Sequence, residues 1–421
     1  MQNIKSITLP NKINVIYEHV DHIRSVLLGC WVKFGSREET EKLFGITHFL
    51  EHMLFKGSSK RSALEIAESL ELVGGELNGF TSRENCCYYG KVTDDNLPLV
   101  CDVIADLVFR PQLDPVEMQR EVNVVCQEID MIEDSLEELV HEKLVETMFN
   151  KSLGHSILGT KKHIESFTTD QLRNFHSKLY HPSNVFLTVV GNLQKYNFEE
   201  VIHKEFGRIE STQKPLLPLD ISSKKVSQHH LIQKDSEQMH LVMGWHSFSV
   251  QHDSRYVLHL ISAHLGNGMS SVLFQKIREE LGLTYNIYSF IRAYRDAGIF
   301  GVYAAHSPDN LTILNQTILK IIKNFTIEGI DNVRLEQLKA QLKGNLLLGL
   351  EKTAFRMNRM GVGYLYFDHI MSPDDLIELI QKITQEDVMN VAEQIFSNEA
   401  TIVGAGKMSD TDFEKSIKTR S

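Results

Sequence analysis

The chain has 421 residues, 42% of them apolar and 24% charged, with a formal net charge of −11 at pH 7. That length exceeds one ordinary core and points to two domains of about 200 residues each. The acidic balance argues against general nucleic-acid binding. No run of 18 apolar residues occurs, so no membrane-spanning helix is expected.

The N-terminal stretch Met1 to Pro10 has neither an apolar h-region nor an Arg-rich amphipathic segment. A cytoplasmic location is therefore expected, or an organellar matrix for a processed form. Cys30, Cys86, Cys87, Cys101 and Cys126 make an odd number without CxxC spacing and read as reduced thiols.

Residues 13–17 follow the turn Pro10-Asn11-Lys12 and read as a strand, as does the longer β-rich run 25–34. Next comes Gly45-Ile46-Thr47-His48-Phe49-Leu50-Glu51-His52-Met53-Leu54-Phe55. If helical, it puts His48 and His52 one turn apart on one face, where two imidazoles can take two corners of a tetrahedral zinc ion. Glu51 lies on the same side, within reach of a water at that metal. Phe49, Leu50, Met53 and Leu54 cover the remaining faces with apolar groups. An isolated His on an apolar face is usually a satisfied core residue. Three ionisable groups within five residues are costly to bury without a shared purpose.

Residues 63–73 read as an amphipathic helix stopped by Gly74-Gly75, followed by strands over 76–81 and 85–92. A helix over 97–109 breaks before Pro111. A single long helix is expected from Asp114-Pro115 through Glu146, with Val122, Val125, Ile129, Ile132, Leu136, Leu139 and Val140 as its apolar stripe. Within it Glu121 and Glu128 are seven apart and share a face, so either is placed to supply a third metal ligand. Residues 185–190 form an apolar β run.

Pro215, Pro218 and Ser222-Ser223-Lys224-Lys225 mark 211–225 as a linker between domains of residues 1–210 and 226–421. The second half repeats the first. Trp31 and Trp245 are 214 residues apart, and so are Thr93-Asp94-Asp95-Asn96-Leu97 and Ser307-Pro308-Asp309-Asn310-Leu311. Both halves alternate strands and helices in one order, an α+β layer pattern. The same offset carries His48, Glu51 and His52 onto Ser262, Leu265 and Gly266, so the second copy lacks the metal motif.

The H-x-x-E-H motif followed by a distant Glu resembles the inverted-zincin, pitrilysin-type (M16) metallopeptidases. In that family the third ligand falls where Glu128 stands, and Glu121 matches the carboxylate that backs a ligand histidine. Gly74-Gly75-Glu76-Leu77-Asn78-Gly79-Phe80-Thr81-Ser82-Arg83-Glu84-Asn85 is similar to the family's substrate-binding edge strand, with Asn78 and Gly79 against the peptide. Gly268 to Phe274 resembles its second-domain signature, although Val272 stands where Arg is usual. Arg278 and Tyr285 match an Arg/Tyr pair that reaches the zinc site from the opposing half.

The resemblance implies an α+β protein of two homologous domains, each a mainly antiparallel sheet flanked by helices, forming half of a clamshell. It implies one Zn2+ per chain on His48, His52 and Glu128, Glu51 as general base, and short or unfolded peptides as substrates. The length is that of the subgroup resembling the mitochondrial processing peptidase β subunit and its bacterial relatives, whose chamber is built from two chains. With both the zinc motif and the Arg/Tyr pair on one chain, a homodimer is expected. Glu138 and Glu142 match an acidic pair that holds Arg near the cleavage site, which would favour basic peptides. A solvated helix face is the plain alternative for that pair. The competing readings of the whole are a non-catalytic, core-type or chaperone-like subunit and a catalytic subunit that needs a heterologous partner.

Overall fold

A computed structural model of the chain describes residues 4–149, 151–210 and 229–418. The described residues form two compact units, each a sheet covered by helices. Among these residues the first unit comprises 4–129, 155–210 and 347–372, and the second comprises 130–149, 151–154, 229–346 and 373–418.

In the first unit the strands β1 (Ile4–Thr8), β2 (Asn14–His19), β3 (Ser25–Val32), β4 (Glu76–Thr81), β5 (Cys86–Thr93) and β6 (Val185–Gly191) run in the order β1-β2-β6-β3-β5-β4. Only β2 and β6 pair in parallel. In the second unit β7 (His230–Gln233), β8 (Met239–Ser247), β9 (Thr284–Ala293), β10 (Gly298–His306) and β11 (Thr401–Gly406) run β7-β11-β8-β10-β9, with β7 and β11 parallel. Apart from β1 the two sheets have the same topology, and Trp31 and Trp245 occupy the equivalent strands β3 and β8. The duplication read from the 214-residue offset is thus a duplication of strand order.

The sheets are buried on both faces. β3 reads Ser-Val-Leu-Leu-Gly-Cys-Trp-Val, a continuous apolar run and not an alternating one, and all but its first residue are buried. On one face lie α1 (Ile46–Leu54), α2 (Ala63–Glu71) and α3 (Leu97–Phe109), whose apolar sides form the main core with Val26, Leu28 and Tyr88. On the other face Trp31, Phe186 and Val190 meet Met357 and Met360 of the helix Thr353–Phe367. Gly361 lets that helix approach, since a Cβ there would lie 2.2 Å from the Trp31 ring.

The long helix expected over 114–146 is two helices, α4 (Pro115–Asp134) and α5 (Leu136–Met148), because Ser135 adopts an extended backbone with ψ 98°. The residues taken as one stripe serve two cores. Val122, Val125 and Ile129 pack in the first unit, whereas Val140 packs on β8 and β11 of the second, together with Leu144, Val145 and Met148 beyond the expected stripe.

The break also changes the division of the chain. The expected linker 211–225 lies outside the described residues, and the compact units do not follow a single cut there. The chain enters the second unit at 130, returns at 155, and sends 347–372 back to the first. Each sheet has an apolar second face, and a helix distant in sequence buries it.

Candidate metal centre

The motif segment is helical, over Ile46–Leu54, and its start is held by a feature the sequence reading did not assign. Gly45 caps α1 with φ +92°, and a Cβ at this position would meet the Leu158 carbonyl oxygen at 2.4 Å. The buried Glu39 carboxylate accepts hydrogen bonds from Gly45 N and Thr47 N, both 2.8 Å. It thereby satisfies two amides at the positive end of the helix. His155 Nε2 stands 3.1 Å from Glu39 Oε2, and its ring stacks on Phe44 at 3.8 Å. An acidic residue some turns ahead of a glycine-capped helix was the signal available.

His48 and His52 share one face of α1, with ring centroids 4.6 Å apart. α4 brings Glu128 opposite them. Glu128 Oε1 is 3.6 Å from His48 Nε2, and Oε2 is 3.4 Å from His52 Nε2. One ligand atom from each of the three residues falls within 4.8 Å of the others, and this is the one such His/Cys/Asp/Glu cluster among the described residues. Bonds of 2.0–2.2 Å in tetrahedral geometry place neighbouring ligand atoms about 3.4 Å apart. The two Glu–His separations, one to each carboxylate oxygen, are of that size, and two imidazoles with one carboxylate are a donor set that fits a zinc ion.

Glu121 takes the other side of His52. Its Oε1 accepts the Nδ1–H of His52 at 2.8 Å, and its Oε2 lies 2.7 Å from Lys56 Nζ. A carboxylate has no proton to give, so His52 Nδ1 carries one, and Nε2, which faces Glu128, is the nitrogen a metal would take once that atom is deprotonated. Glu121 and Glu128, both left open by the spacing argument, are therefore distinguished by geometry. Glu51, behind the histidines, accepts the Thr81 hydroxyl at Oε2, 2.5 Å away. Thr81 ends β4, the edge strand of the sheet that also carries the exposed Asn78 and the half-buried Gly79.

The electrostatics follow from burial and these partners. Desolvation, with His52 nearby, pulls His48 down to about 4. Burial opposes the charge on His52 too, but hydrogen bonds to Glu121 and Glu128 outweigh it and lift the group to about 9. Burial raises the Glu51 carboxyl, and the Thr81 hydrogen bond only partly offsets this. The His52 hydrogen bond draws Glu128 below the usual carboxylate range. In Glu121 the His52 and Lys56 hydrogen bonds overcome the effect of burial and leave it lowered.

The other sequence-derived residues belong to the second unit, not to the unit that holds the metal cluster. Arg278 stacks 4.6 Å from the rings of both Phe274 and Tyr285, and Tyr285 is 78% exposed. Glu138 is exposed and Glu142 half-buried, both on α5. The equivalence drawn at Ser262, Leu265 and Gly266 needs correction in register. The helix Arg255–Leu265 ends before Gly266, so the 214-residue offset, which holds at the tryptophans, slips across this element.

A family model described as insulinase (peptidase family M16) matches residues 14–161, and one described as the peptidase M16 inactive domain matches 166–342. The uncharacterized zinc protease YmxG of Bacillus subtilis is 38% identical over 411 residues, covering 96% of this chain and 99% of that protein. An uncharacterized zinc protease of Streptomyces coelicolor is 33% identical, covering 97% and 90%. Among solved structures, a protease from Helicobacter pylori superposes with TM-score 0.89 at 21% identity, covering 96% of this chain and all of that one. A structure titled peptidase M16 inactive domain, from Pseudomonas fluorescens, gives TM-score 0.86 at 18% identity, covering 97% and 98%.

Proposed function

This chain belongs to the M16 family of zinc proteases, and from that premise we propose that it is a zinc-dependent endopeptidase acting on peptides or unfolded segments. The observation that carries the reading is the convergence of His48, His52 and Glu128, with one ligand atom of each within 4.8 Å of the others. A non-catalytic subunit would have no use for the intact set.

His48 Nε2, His52 Nε2 and a Glu128 oxygen would hold the ion. Zinc, when bound in such a site, polarises the scissile carbonyl and makes water more acidic. Glu51, raised by burial toward the working pH, takes the proton of the attacking water and returns it to the departing amine. The Thr81 hydrogen bond limits the rotamers open to Glu51. Glu121 holds His52 in one tautomer and orientation.

The substrate lies extended along the free edge of β4, pairing with the backbone at Asn78 and Gly79. That mode admits unfolded segments and excludes folded ones. Tyr285 hydrogen-bonds the carbonyl oxygen as it gains charge, and Arg278 holds substrate backbone, both supplied by a second copy in an enclosed homodimer. Glu138 and Glu142 give a preference for basic residues. No helix among the described residues is long and apolar enough to cross a membrane.

Zinc stoichiometry measured together with cleavage of a quenched basic peptide, with and without chelator, tests the assignment. One zinc per chain and chelator-sensitive cleavage by the chain expressed alone are expected. A zinc-loaded homodimer that cleaves no unfolded peptide would overturn it in favour of a binding subunit. A monomer that gains activity only with a second protein would replace the homodimer.

A further inference from the structure

We propose that Lys56 is a positioning residue for the metal centre, acting through Glu121. The inference rests on the zinc reading above. Lys56 follows His52 by four residues in the turn that closes α1, where Lys56 N bonds to Met53 O at 3.2 Å. The two side chains consequently project to one side and meet the same carboxylate. Glu121, only 3% exposed, divides its oxygens between them, with Oε1 to His52 Nδ1 at 2.8 Å and Oε2 to Lys56 Nζ at 2.7 Å. A carboxylate fixed at both oxygens cannot rotate away from the imidazole. The Lys56 ammonium therefore sets the plane in which Glu121 receives the Nδ1 proton, and with it the direction of the Nε2 lone pair.

Charge supplies an independent reason. Glu51, Glu121 and Glu128 surround two histidines that must be neutral to bind a metal. A divalent ion balances two of these carboxylates and leaves the third without a counter-charge in a largely buried pocket. Lys56 supplies that charge at Glu121, whose two oxygens are engaged by His52 Nδ1 and Lys56 Nζ and not by the ligand nitrogens. Removing it leaves one oxygen of a buried anion unpaired and free to re-orient, which weakens its hold on His52.

The test is zinc affinity measured by competition with a chromophoric chelator on the full chain, which requires no substrate. Partners of ligand histidines typically contribute 10–100-fold to affinity, and Lys56 acts one bond further out, so Lys56→Met should weaken zinc binding about tenfold. Lys56→Arg, which keeps the charge, should stay within about twofold of the wild type. In a Glu121→Gln background, where neither the buried anion nor its pairing remains, Lys56→Met should change affinity by less than about twofold. That double variant also guards against misfolding from an unpaired Glu121. Wild-type affinity in Lys56→Met, or an equal loss in both backgrounds, would overturn the proposal. Failure of the wild-type chain to bind zinc would instead defeat the functional reading on which it rests.

Discussion

Replacing Glu39 tests whether the start of the metal-bearing helix is held as the structure indicates. Its carboxylate accepts Gly45 N and Thr47 N at 2.8 Å each and faces His155 Nε2 at 3.1 Å, and it is 5% exposed. In Glu39→Gln one oxygen becomes an NH2 group, so one charge-assisted bond is lost and a donor is turned toward a backbone donor. A hydrogen bond to a charged group contributes about 1.5–3 kcal/mol, and leaving a buried donor unmet adds to it, giving a loss of about 3 kcal/mol. With a urea m-value of about 3 kcal/mol per molar for a unit of this size, the midpoint should fall by about 1 M. The chain's two tryptophans make the assay local, because Trp31 lies in the first unit and Trp245 in the second. In a Trp245→Phe background, fluorescence therefore reports the first unit alone. An unchanged Trp31 midpoint would refute the capping argument, as would a shift confined to the second unit in the parent background.

Other outcomes follow from the same structure. Glu51→Gln should retain zinc but lose about 10²–10⁴-fold in peptide cleavage, and full activity would remove Glu51 as the base. Arg278→Ala on one protomer of a mixed dimer, with Glu51→Gln on the other, should leave at most one working site or none according to which chain completes which. If Arg278 acts across the dimer, placing both changes on one chain silences both sites, whereas action within its own chain leaves the wild-type protomer active. In chelator, stability should fall as pH drops from about 6.5 toward 4, because burial pulls His176 and His141 to about 4 and only the unfolded chain takes up their protons across that window. The contribution of each is fully present above pH 6.5 and amounts to at most about 3 kcal/mol. Urea midpoints that stay flat between pH 6.5 and 5 would contradict it.

The sequence by itself determined what depends on local periodicity. The bounds 97–109 and 76–81 were legible because apolar spacing and flanking Gly and Pro are properties of the covalent chain. His48, Glu51 and His52 were legible for the same reason, since a four-residue spacing on a helix places two rings together whatever surrounds it. Glu128 needed more than spacing, because Glu121 shares its helical face. The family pattern favoured Glu128, and the packing of α4 against α1 set the two apart by putting Glu121 on Nδ1 and Glu128 near Nε2.

Only the tertiary structure decided the rest. Glu39, Lys56 and Thr81 acquire their positions from contacts across 6 to 116 residues of chain. An apolar stripe that looked continuous through 114–146 splits at Ser135, because periodicity says which residues are buried but not against which sheet. Two sheets with apolar second faces needed cover, and α5 and the helix Thr353–Phe367 supply it from the far side of the chain's apparent midpoint. Spacing along the chain is fixed by bond geometry, whereas the choice of partner is made by the burial of surfaces that meet only once the chain has folded.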